Sequence, residues 1–216
     1  MLDTFKHRGL RNKLVELLRE KGIPNEDVLA AIGRIPRHGF VESAFADSAY
    51  EDRPLPIGDG QTISQPYTVA AQSSLLQVKP RMKVLEIGTG SGCQAAVLCE
   101  MGCKVFSIER IRNHHNAARK VLEELGYRPR LKWGDGSAGW RTYAPFDRIL
   151  VTAGSPGIPN PLKEHLAVGG RLIIPFGNRK QQEMGIVTRI SNTEFKIERK
   201  GNFAFVPMIG QHGWQE

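Results

Sequence analysis

The sequence predicts an α/β fold: a doubly wound, mostly parallel sheet with an N-terminal helical extension and an antiparallel C-terminal edge. Between positions 83 and 177, short runs of aliphatic residues alternate with stretches of helical periodicity, as in βαβ units. The first of these runs leads into a glycine cluster at residues 88–92. After position 177 the helical pattern stops and only strand-like segments follow. Together these observations indicate a single domain over residues 1–216.

Two helices are predicted before any strand. Apolar residues recur at helical spacing from Arg8 to Lys21, and the glycine that follows Lys21 indicates the end of this helix. Asn25 is a typical N-cap for a second helix, which ends before Pro36. A segment with proline and glycine, Asp52 to Pro66, is predicted to connect these helices to the sheet. We therefore interpret residues 1–60 as a helical cap and linker.

The central segment, residues 61–177, is predicted to form the parallel sheet. Its expected elements are a strand at Lys83–Ile87, a helix through QAAVLCEMG, a strand KVFSIE, a helix from Arg112 to Gly126, strands in RLKWGD and FDRILVTA, a short helix PLKEHL and a strand RLIIPFG. The last segment, residues 178–216, holds two β-rich stretches, MGIVTRIS and EFKIER with FAFVPMI, which predict the antiparallel edge.

Composition excludes several classes of protein. A chain of 216 residues buries roughly 70% of its unfolded surface and needs no disulfide or metal to fold. The three cysteines match no metal or redox spacing and are expected to be free thiols in a reducing cytoplasm. The N-terminal MLDTFKHRGLRNK lacks the apolar segment of a signal peptide, and no apolar run approaches the roughly 18 residues of a membrane span. We expect a soluble cytoplasmic protein without a metal site.

The loop after the first parallel strand is the predicted cofactor site. Gly88 and Gly90 permit a tight turn and a close approach of the backbone to a ligand. Glu109 lies 21 residues after Gly88, at the end of the next strand. At about that distance a carboxylate accepts hydrogen bonds from ribose hydroxyls in nucleotide-binding sheets. The alternative for Glu109 is a solvated side chain beside Arg110.

Three features distinguish between two cofactors that contain ribose. The glycines read G-x-G-x-G, without the third glycine position that suits the pyrophosphate of NAD. Glu86 stands just before the loop, where a carboxylate would repel phosphates but suits ammonium and sulfonium charges. The third strand ends in Gly134-Asp135-Gly136, which offers an acceptor for an adenine amino group. These features favour S-adenosyl-L-methionine and leave an NAD-dependent oxidoreductase as a lesser alternative.

Several motifs together resemble the protein-L-isoaspartate O-methyltransferase family. They are VLEIGTGSG followed by CQAAVL, SIER, GDG and APFDRILVTAG, with RHGFV, AYED, LPIGDGQTIS and FVPMIG. The glycine motif alone indicates only the Rossmann-like methyltransferase superfamily. The segment GQTISQPYTVA, Gly60 to Ala70, is similar to a signature of the narrower family. The resemblance runs from about Arg34 to Gly210, nearly the whole chain.

The resemblance implies methyl transfer from S-adenosyl-L-methionine to the side-chain carboxylate of L-isoaspartyl residues in damaged proteins. The ester then cyclises to a succinimide, and hydrolysis returns some normal aspartate. The resemblance implies Ser64 as the active-site residue. The other site residues that it implies are cofactor contacts at Glu86, Gly88, Thr89, Gly90, Glu109, Asp135 and Gly136, and peptide contacts at Thr62, Ile63, Val206 and Pro207.

The chain departs from the family pattern beside the cofactor loop. Cys93 stands where the family commonly has tyrosine, and His114-His115 replaces a more aliphatic start of the helix after the second strand. Neither change removes an implied cofactor contact. The sequence leaves open what these departures do to affinity and substrate range.

Alternatives remain for the serine and for the acceptor. Ser64 before Gln-Pro is also the pattern of a helix N-cap. The formal net charge of +8 would suit a nucleic-acid methyltransferase, but the Lys and Arg residues are scattered along the chain. A non-enzymatic binding module on the same fold is a further alternative. We expect a monomeric enzyme that acts on isoaspartyl peptides and proteins, with neither nucleic acid nor membrane as a partner.

Overall fold

The helices and strands follow the predicted order. The structure, a computed structural model, describes residues 3–215, so residues 1–2 and 216, the ends of the predicted cap and C-terminal segment, lie outside the described residues. The α-helices are α1 (Phe5–Glu20), α2 (Glu26–Arg34), α3 (Pro66–Leu76), α4 (Cys93–Glu100), α5 (Arg112–Glu124) and α6 (Asn160–Glu164). The strands are β1 (Leu55–Gly58), β2 (Gln61–Ile63), β3 (Lys83–Ile87), β4 (Lys104–Glu109), β5 (Arg130–Trp133), β6 (Phe146–Val151), β7 (Leu166–Gly177), β8 (Gln182–Arg189) and β9 (Phe195–Phe203).

The strands β3 to β9 form one sheet in the order β5-β4-β3-β6-β7-β8-β9. Strands β3 to β7 pair in parallel, whereas β8 and β9 add an antiparallel edge. This arrangement confirms the predicted fold class. From β3 the chain moves outward to β5 on one side, then returns to β6 on the other side of β3. Strand order therefore reverses between β3 and β6, and ligands bind beyond the carboxyl ends of the strands at such a point.

Side chains of the central strands alternate between two apolar cores. Val84 of β3 packs in one core, whereas Leu85 and Ile87 pack in the other with Phe146 of β6. Helices cover both faces, as parallel sheets require. Because successive side chains on a strand point to opposite faces, Glu86 lies on the same face as Val84.

Both predicted N-terminal helices are present. Asn25 accepts a hydrogen bond from the backbone N–H of Val28 at 3.2 Å, as predicted for an N-cap. Helix α1 begins at Phe5, three residues before the predicted start, because Thr4 caps it by accepting from the N–H of His7. Short 3-10 turns then occupy residues 37–40, 43–45 and 47–50, which the sequence periodicity did not indicate.

Two segments differ from their sequence-based description. The connection over 52–66 contains an antiparallel hairpin of β1 and β2, and this hairpin spans the predicted boundary between cap and core at residues 60 and 61. The stretch FAFVPMI leaves the sheet at Phe203. It then crosses the sheet's carboxyl edge, where Gly154 donates to the carbonyl of Val206 and accepts from the N–H of Met208, both at 2.8 Å. These tertiary bonds replace the strand pairing that the apolar pattern predicts.

We predict that the stability of the fold depends on the buried strand β6 far more than on the edge strand β9. Ile149 of β6 is fully buried, so Ile149→Ala should lower the free energy of unfolding by about 2–5 kcal/mol. Ile197 of β9 is 49% exposed, and Ile197→Ala should cost less than about 1 kcal/mol. Urea denaturation of both variants measures the difference, and equal losses would contradict this account of the core.

Candidate active site

A cleft opens at the carboxyl ends of β3, β4 and β6, where strand order reverses. Three parts of the chain enclose it: the β1–β2 hairpin, the glycine loop and the segment 206–209. The residues that line it are Gln61, Thr62, Ile63, Ser64, Val69, Ile87, Gly88, Thr89, Gly90, Ser91, Cys93, Gln94, Ile108, Glu109, Arg110, Ile111, His114, Gly136, Thr152, Ala153, Val206, Pro207, Met208 and Ile209. Ten of the twelve predicted site residues are in this lining, and the exceptions are Glu86 and Asp135.

The glycine loop can have no side chain at its first position. Gly88 has φ +97°, and a Cβ there would lie 2.6 Å from Oγ1 of Thr152 at the end of β6. That hydroxyl donates to the carbonyl of Gly88 at 2.7 Å, so it holds the loop against β6. Gly90 also has a positive φ, +51°. The loop therefore presents bare backbone to the cleft, as a closely held ligand requires.

Glu109 fixes the loop from the end of β4. One carboxylate oxygen accepts the N–H of Gly90 and the other accepts the N–H of Ile111, both at 2.8 Å. The side chain is 94% buried yet reaches the cleft. A carboxylate has about four lone-pair sites, so each oxygen can still accept a hydroxyl of a ligand.

Glu86 lies behind the loop and outside the cleft lining. It is fully buried and accepts a hydrogen bond of 2.5 Å from Ser107, its neighbour across the β3–β4 ladder. The Ser107 hydroxyl is also 2.6 Å from the hydroxyl of Thr89. Burial raises the pKa of Glu86 to about 8; the Ser107 hydrogen bond opposes this rise and the nearby Glu109 adds to it. The structure therefore does not bring a charged Glu86 into the cleft.

Asp135 binds backbone groups beside the cleft. Its carboxylate accepts from the N–H of Ser137 and from the N–H of Gln211, each at 2.8 Å. Partial burial alone would raise the pKa of Asp135, but these hydrogen bonds lower it below its usual value. Asp135 thereby ties the loop after β5 to the C-terminal segment. Gly136 lines the cleft, and a Cβ there would lie 2.5 Å from Cγ2 of Ile87.

Ser64 lies in the cleft between β2 and α3 and does not cap the helix. Helix α3 begins at Pro66, its N-cap residue is Gln65, and the first-turn N–H of Tyr67 donates to Oδ1 of Asp52 at 2.8 Å. The N-cap alternative for Ser64 is therefore wrong by one residue. The backbone carbonyl of Ser64 accepts a 2.7 Å hydrogen bond from the fully buried guanidinium of Arg37, which also donates to the carbonyl of Ala49 at 2.7 Å.

The predicted peptide contacts flank Ser64 on two sides. Thr62 and Ile63 belong to β2, which leads directly into Ser64. Val206 and Pro207 come from the C-terminal crossing, where Gly154 pairs with Pro207. Both segments are extended and line the same cleft. The structure thus brings together residues that are far apart in the sequence.

Sequence reasoning missed three side chains that act at or beside this cleft: Arg37, Thr152 and His114. Arg37 and Thr152 stand inside the motifs RHGFV and LVTAG, so the signal was present, but their contacts join distant segments. His114 was noted only as a departure from the family pattern, yet it is 6% exposed and lines the cleft.

Comparison with known proteins decides the family. The profile of the family described as protein-L-isoaspartate(D-aspartate) O-methyltransferase matches residues 9–213. The chain is 53% identical over 214 residues to the protein-L-isoaspartate O-methyltransferase of Cytophaga hutchinsonii, covering 99% of this chain and 97% of that protein. The chain belongs to the protein-L-isoaspartate(D-aspartate) O-methyltransferase family.

Solved structures agree with this assignment. A protein-L-isoaspartate O-methyltransferase superimposes with a TM-score of 0.86 at 30% identity, covering 94% of this chain and 67% of that chain. The fold also matches a Plasmodium falciparum protein solved in complex with S-adenosyl-L-homocysteine, with a TM-score of 0.81 at 23% identity, covering 92% of this chain and 98% of that one. The predicted family, enzyme class and repair activity are confirmed, with S-adenosyl-L-methionine as the cofactor. Within residues 3–215, no helix is long and apolar enough to span a membrane.

We predict that Gly88→Ala weakens cofactor binding strongly. The substitution adds a Cβ 2.6 Å from Thr152 Oγ1 at a backbone φ of +97°, so the loop must move away from β6. Affinity for S-adenosyl-L-homocysteine, measured by calorimetry, should fall at least about tenfold, since each 1.4 kcal/mol of strain is a factor of ten. Gly157→Ala is the matched control because a Cβ there meets nothing within 4 Å. Wild-type affinity in Gly88→Ala would contradict this account of the loop.

A second prediction concerns the pH dependence of stability. Between pH 4.5 and about 8 the folded protein keeps a proton on Glu86 that the unfolded chain has released. Folding stability contributed by this group is therefore complete below the ordinary pKa and is lost as the pH rises toward 8. In the wild type this lowers the free energy of unfolding by at most about 1.4 kcal/mol per pH unit. Glutamine does not titrate, so this pH-dependent loss should disappear in Glu86→Gln.

Urea unfolding from pH 5 to pH 8 measures this effect. The difference in unfolding free energy between Glu86→Gln and the wild type should shift in favour of the variant as the pH rises. Glu198→Gln, at an exposed position on β9, should give no such trend. A constant difference for Glu86→Gln across the range would mean that Glu86 is already ionised in the folded protein.

Proposed function

We propose that Ser64 is the residue that orients the L-isoaspartyl carboxylate for methylation in this cleft. The observation that carries the proposal is the position of Ser64: its segment lines the cleft beside the cofactor loop, and its hydroxyl is not used as a helix cap. A hydroxyl donates one hydrogen bond to a carboxylate without pairing a full charge with it. The acceptor therefore keeps its nucleophilicity while its direction is fixed.

The residues of the cleft fit S-adenosyl-L-methionine. Gly88 and Gly90 offer bare backbone for close approach, and Glu109 has free lone pairs for ribose hydroxyls. The Glu109 carboxylate also suits a ligand that carries positive charge. When bound, the cofactor supplies a methyl group made electrophilic by its sulfonium sulfur.

Glu86 and Asp135 were both predicted to contact the cofactor, but neither lines the cleft. For Glu86 we infer an indirect role. It accepts a hydrogen bond from the Ser107 hydroxyl, which in turn contacts the hydroxyl of Thr89 in the glycine loop. For Asp135 the adenine contact stays a prediction, and Gly136 is the part of that loop that lines the cleft. Both carboxyl groups thus support the site through hydrogen bonds to their neighbours.

The reaction needs positioning more than proton transfer. An acceptor carboxyl with an ordinary pKa near 4 is already ionised at neutral pH, so no general base is required. The chain's task is to hold acceptor and methyl group in line at about 3–3.5 Å. Arg37 fixes the backbone at Ser64 for this purpose, and Thr62, Ile63, Val206 and Pro207 are the proposed walls for the peptide.

We further infer a cytoplasmic monomer that acts on proteins and not on nucleic acid. The scattered Lys and Arg residues support the exclusion of nucleic acid. The cysteines Cys93, Cys99 and Cys103 are free, and burial raises the pKa of each thiol. Thiols kept protonated in this way suit a reducing compartment.

The test of the proposed function is methyl transfer from radiolabelled S-adenosyl-L-methionine to two peptides that differ only in L-isoaspartate or ordinary aspartate. We expect a base-labile methyl ester on the isoaspartyl peptide alone. Label on neither peptide, from protein that binds S-adenosyl-L-homocysteine, would overturn the acceptor assignment. Label on added RNA or DNA would favour the nucleic-acid alternative.

We predict that Ser64→Ala impairs transfer and leaves cofactor binding largely intact. Loss of one orienting hydrogen bond should lower kcat for the isoaspartyl peptide about 10- to 100-fold, since an orienting group contributes on that scale. Calorimetry should give an S-adenosyl-L-homocysteine affinity close to that of the wild type. Ser43→Ala, at an exposed serine in a 3-10 turn, is the control. Full activity in Ser64→Ala would remove Ser64 from the mechanism.

A further inference from the structure

His114 is a buried polar side chain in the cofactor cleft that the reaction does not use. It lies in the first turn of α5, is 6% exposed, and lines the cleft. Within residues 3–215 its Nε2 atom has no hydrogen-bond partner. Buried polar atoms are nearly always bonded, so an unpaired one requires an explanation.

A charged group on the β1–β2 hairpin lies close to this nitrogen. Oδ2 of Asp59 lies 3.6 Å from Nε2 of His114, within ion-pair range but too long for a hydrogen bond. Asp59 is at the tip of the hairpin, between Gly58 and Gly60, and all three have positive φ. A shift of the tip by less than about 1 Å would close the gap to hydrogen-bond length.

The hairpin is anchored at its base and extends over the cofactor loop. Leu55 and Ile63, which pair in the hairpin, are buried in the core. Farther along, Cδ1 of Ile57 lies 3.6 Å from the position that a Cβ on Gly90 would take. Beyond Ile57, the tip reaches α5 through Asp59. The hairpin thus crosses the cleft from the core to α5, with β2 and Ser64 on its return path.

We propose that His114 is a positioning residue that forms a latch with Asp59, holding the hairpin tip over the bound cofactor. The inference rests on the cofactor site proposed above. In either protonation state the imidazole can present an N–H to the carboxylate, and a protonated ring adds charge attraction. Because the product S-adenosyl-L-homocysteine must leave after each transfer, the latch sets how fast it leaves. Because the same hairpin leads into Ser64, the latch also links cofactor binding to the acceptor site.

The experiment measures the dissociation rate of S-adenosyl-L-homocysteine by stopped-flow displacement from the full-length protein. The variants are His114→Leu, Asp59→Ala, which removes the acceptor oxygens, and the double variant. Each single change should speed dissociation about tenfold, and the double variant should be no faster than either single one, because all three lack the same contact. Thermal unfolding of each variant verifies that it is folded.

Two further variants separate a latch from a loss of packing. His115→Leu changes the next residue on α5, which is also buried but contacts Arg119 at 2.7 Å, and should leave the dissociation rate unchanged. His114→Gln keeps a side-chain N–H that can reach Asp59 and should restore most of the slow release that His114→Leu loses. Equal rates in His114→Gln and His114→Leu would overturn the latch.

The remaining outcomes distinguish the latch from the proposed function. Fast release in His114→Leu with wild-type release in Asp59→Ala would mean that His114 contacts the cofactor directly, and would overturn the latch. Unchanged release in every variant, from protein that methylates isoaspartyl peptide, would overturn the latch and leave the function intact. Failure of the wild type to bind S-adenosyl-L-homocysteine would overturn the cofactor site itself.

Discussion

The buried guanidinium of Arg37 is the interaction on which the arrangement of the site depends. It donates to the carbonyls of Ala49 and Ser64, each at 2.7 Å, and its Nη1 lies 3.6 Å from Sγ of Cys93. Burial lowers the pKa of Arg37, with the contact to Cys93 opposing this, and the surrounding acceptors offset part of the desolvation. One cation thus joins the helical cap, the segment of Ser64 and the helix after the glycine loop.

On the cofactor side of the cleft, side chains behind the glycine loop hold the loop in place through hydrogen bonds. Thr152 holds Gly88 from β6, Glu109 holds Gly90 from β4, and the hydroxyl of Thr89 continues through Ser107 to a buried carboxyl group. Thr152 and Glu109 stand at the ends of β6 and β4, whereas Ser107 and Glu86 are paired inside the buried β3–β4 ladder. The loop can therefore offer unshielded backbone to a ligand and still keep one conformation, which is the preorganisation that a positioning enzyme requires.

Local sequence information predicted the sheet and much of the cleft. Strand β3 was predicted at its observed bounds because a short, mostly aliphatic run leads directly into the glycine cluster. Glu109 was predicted from its distance from Gly88 along one βαβ unit. The hairpin was missed because strands of four and three residues are too short to show a period. The contacts of Arg37 join residues 12 and 27 positions apart, and no local pattern encodes them. Glu86 was expected in the cleft, but the pleat of β3 turns it behind the loop.

The central claim is that one cleft holds the cofactor on the glycine loop and the acceptor carboxylate on Ser64. A crystal structure with S-adenosyl-L-homocysteine and an isoaspartyl peptide tests it most directly. The account predicts the ribose on Glu109, the sulfur directed toward Ser64, and the isoaspartyl carboxylate between them within hydrogen-bond distance of the Ser64 hydroxyl. A carboxylate bound away from Ser64, or a ribose away from Glu109, would contradict it.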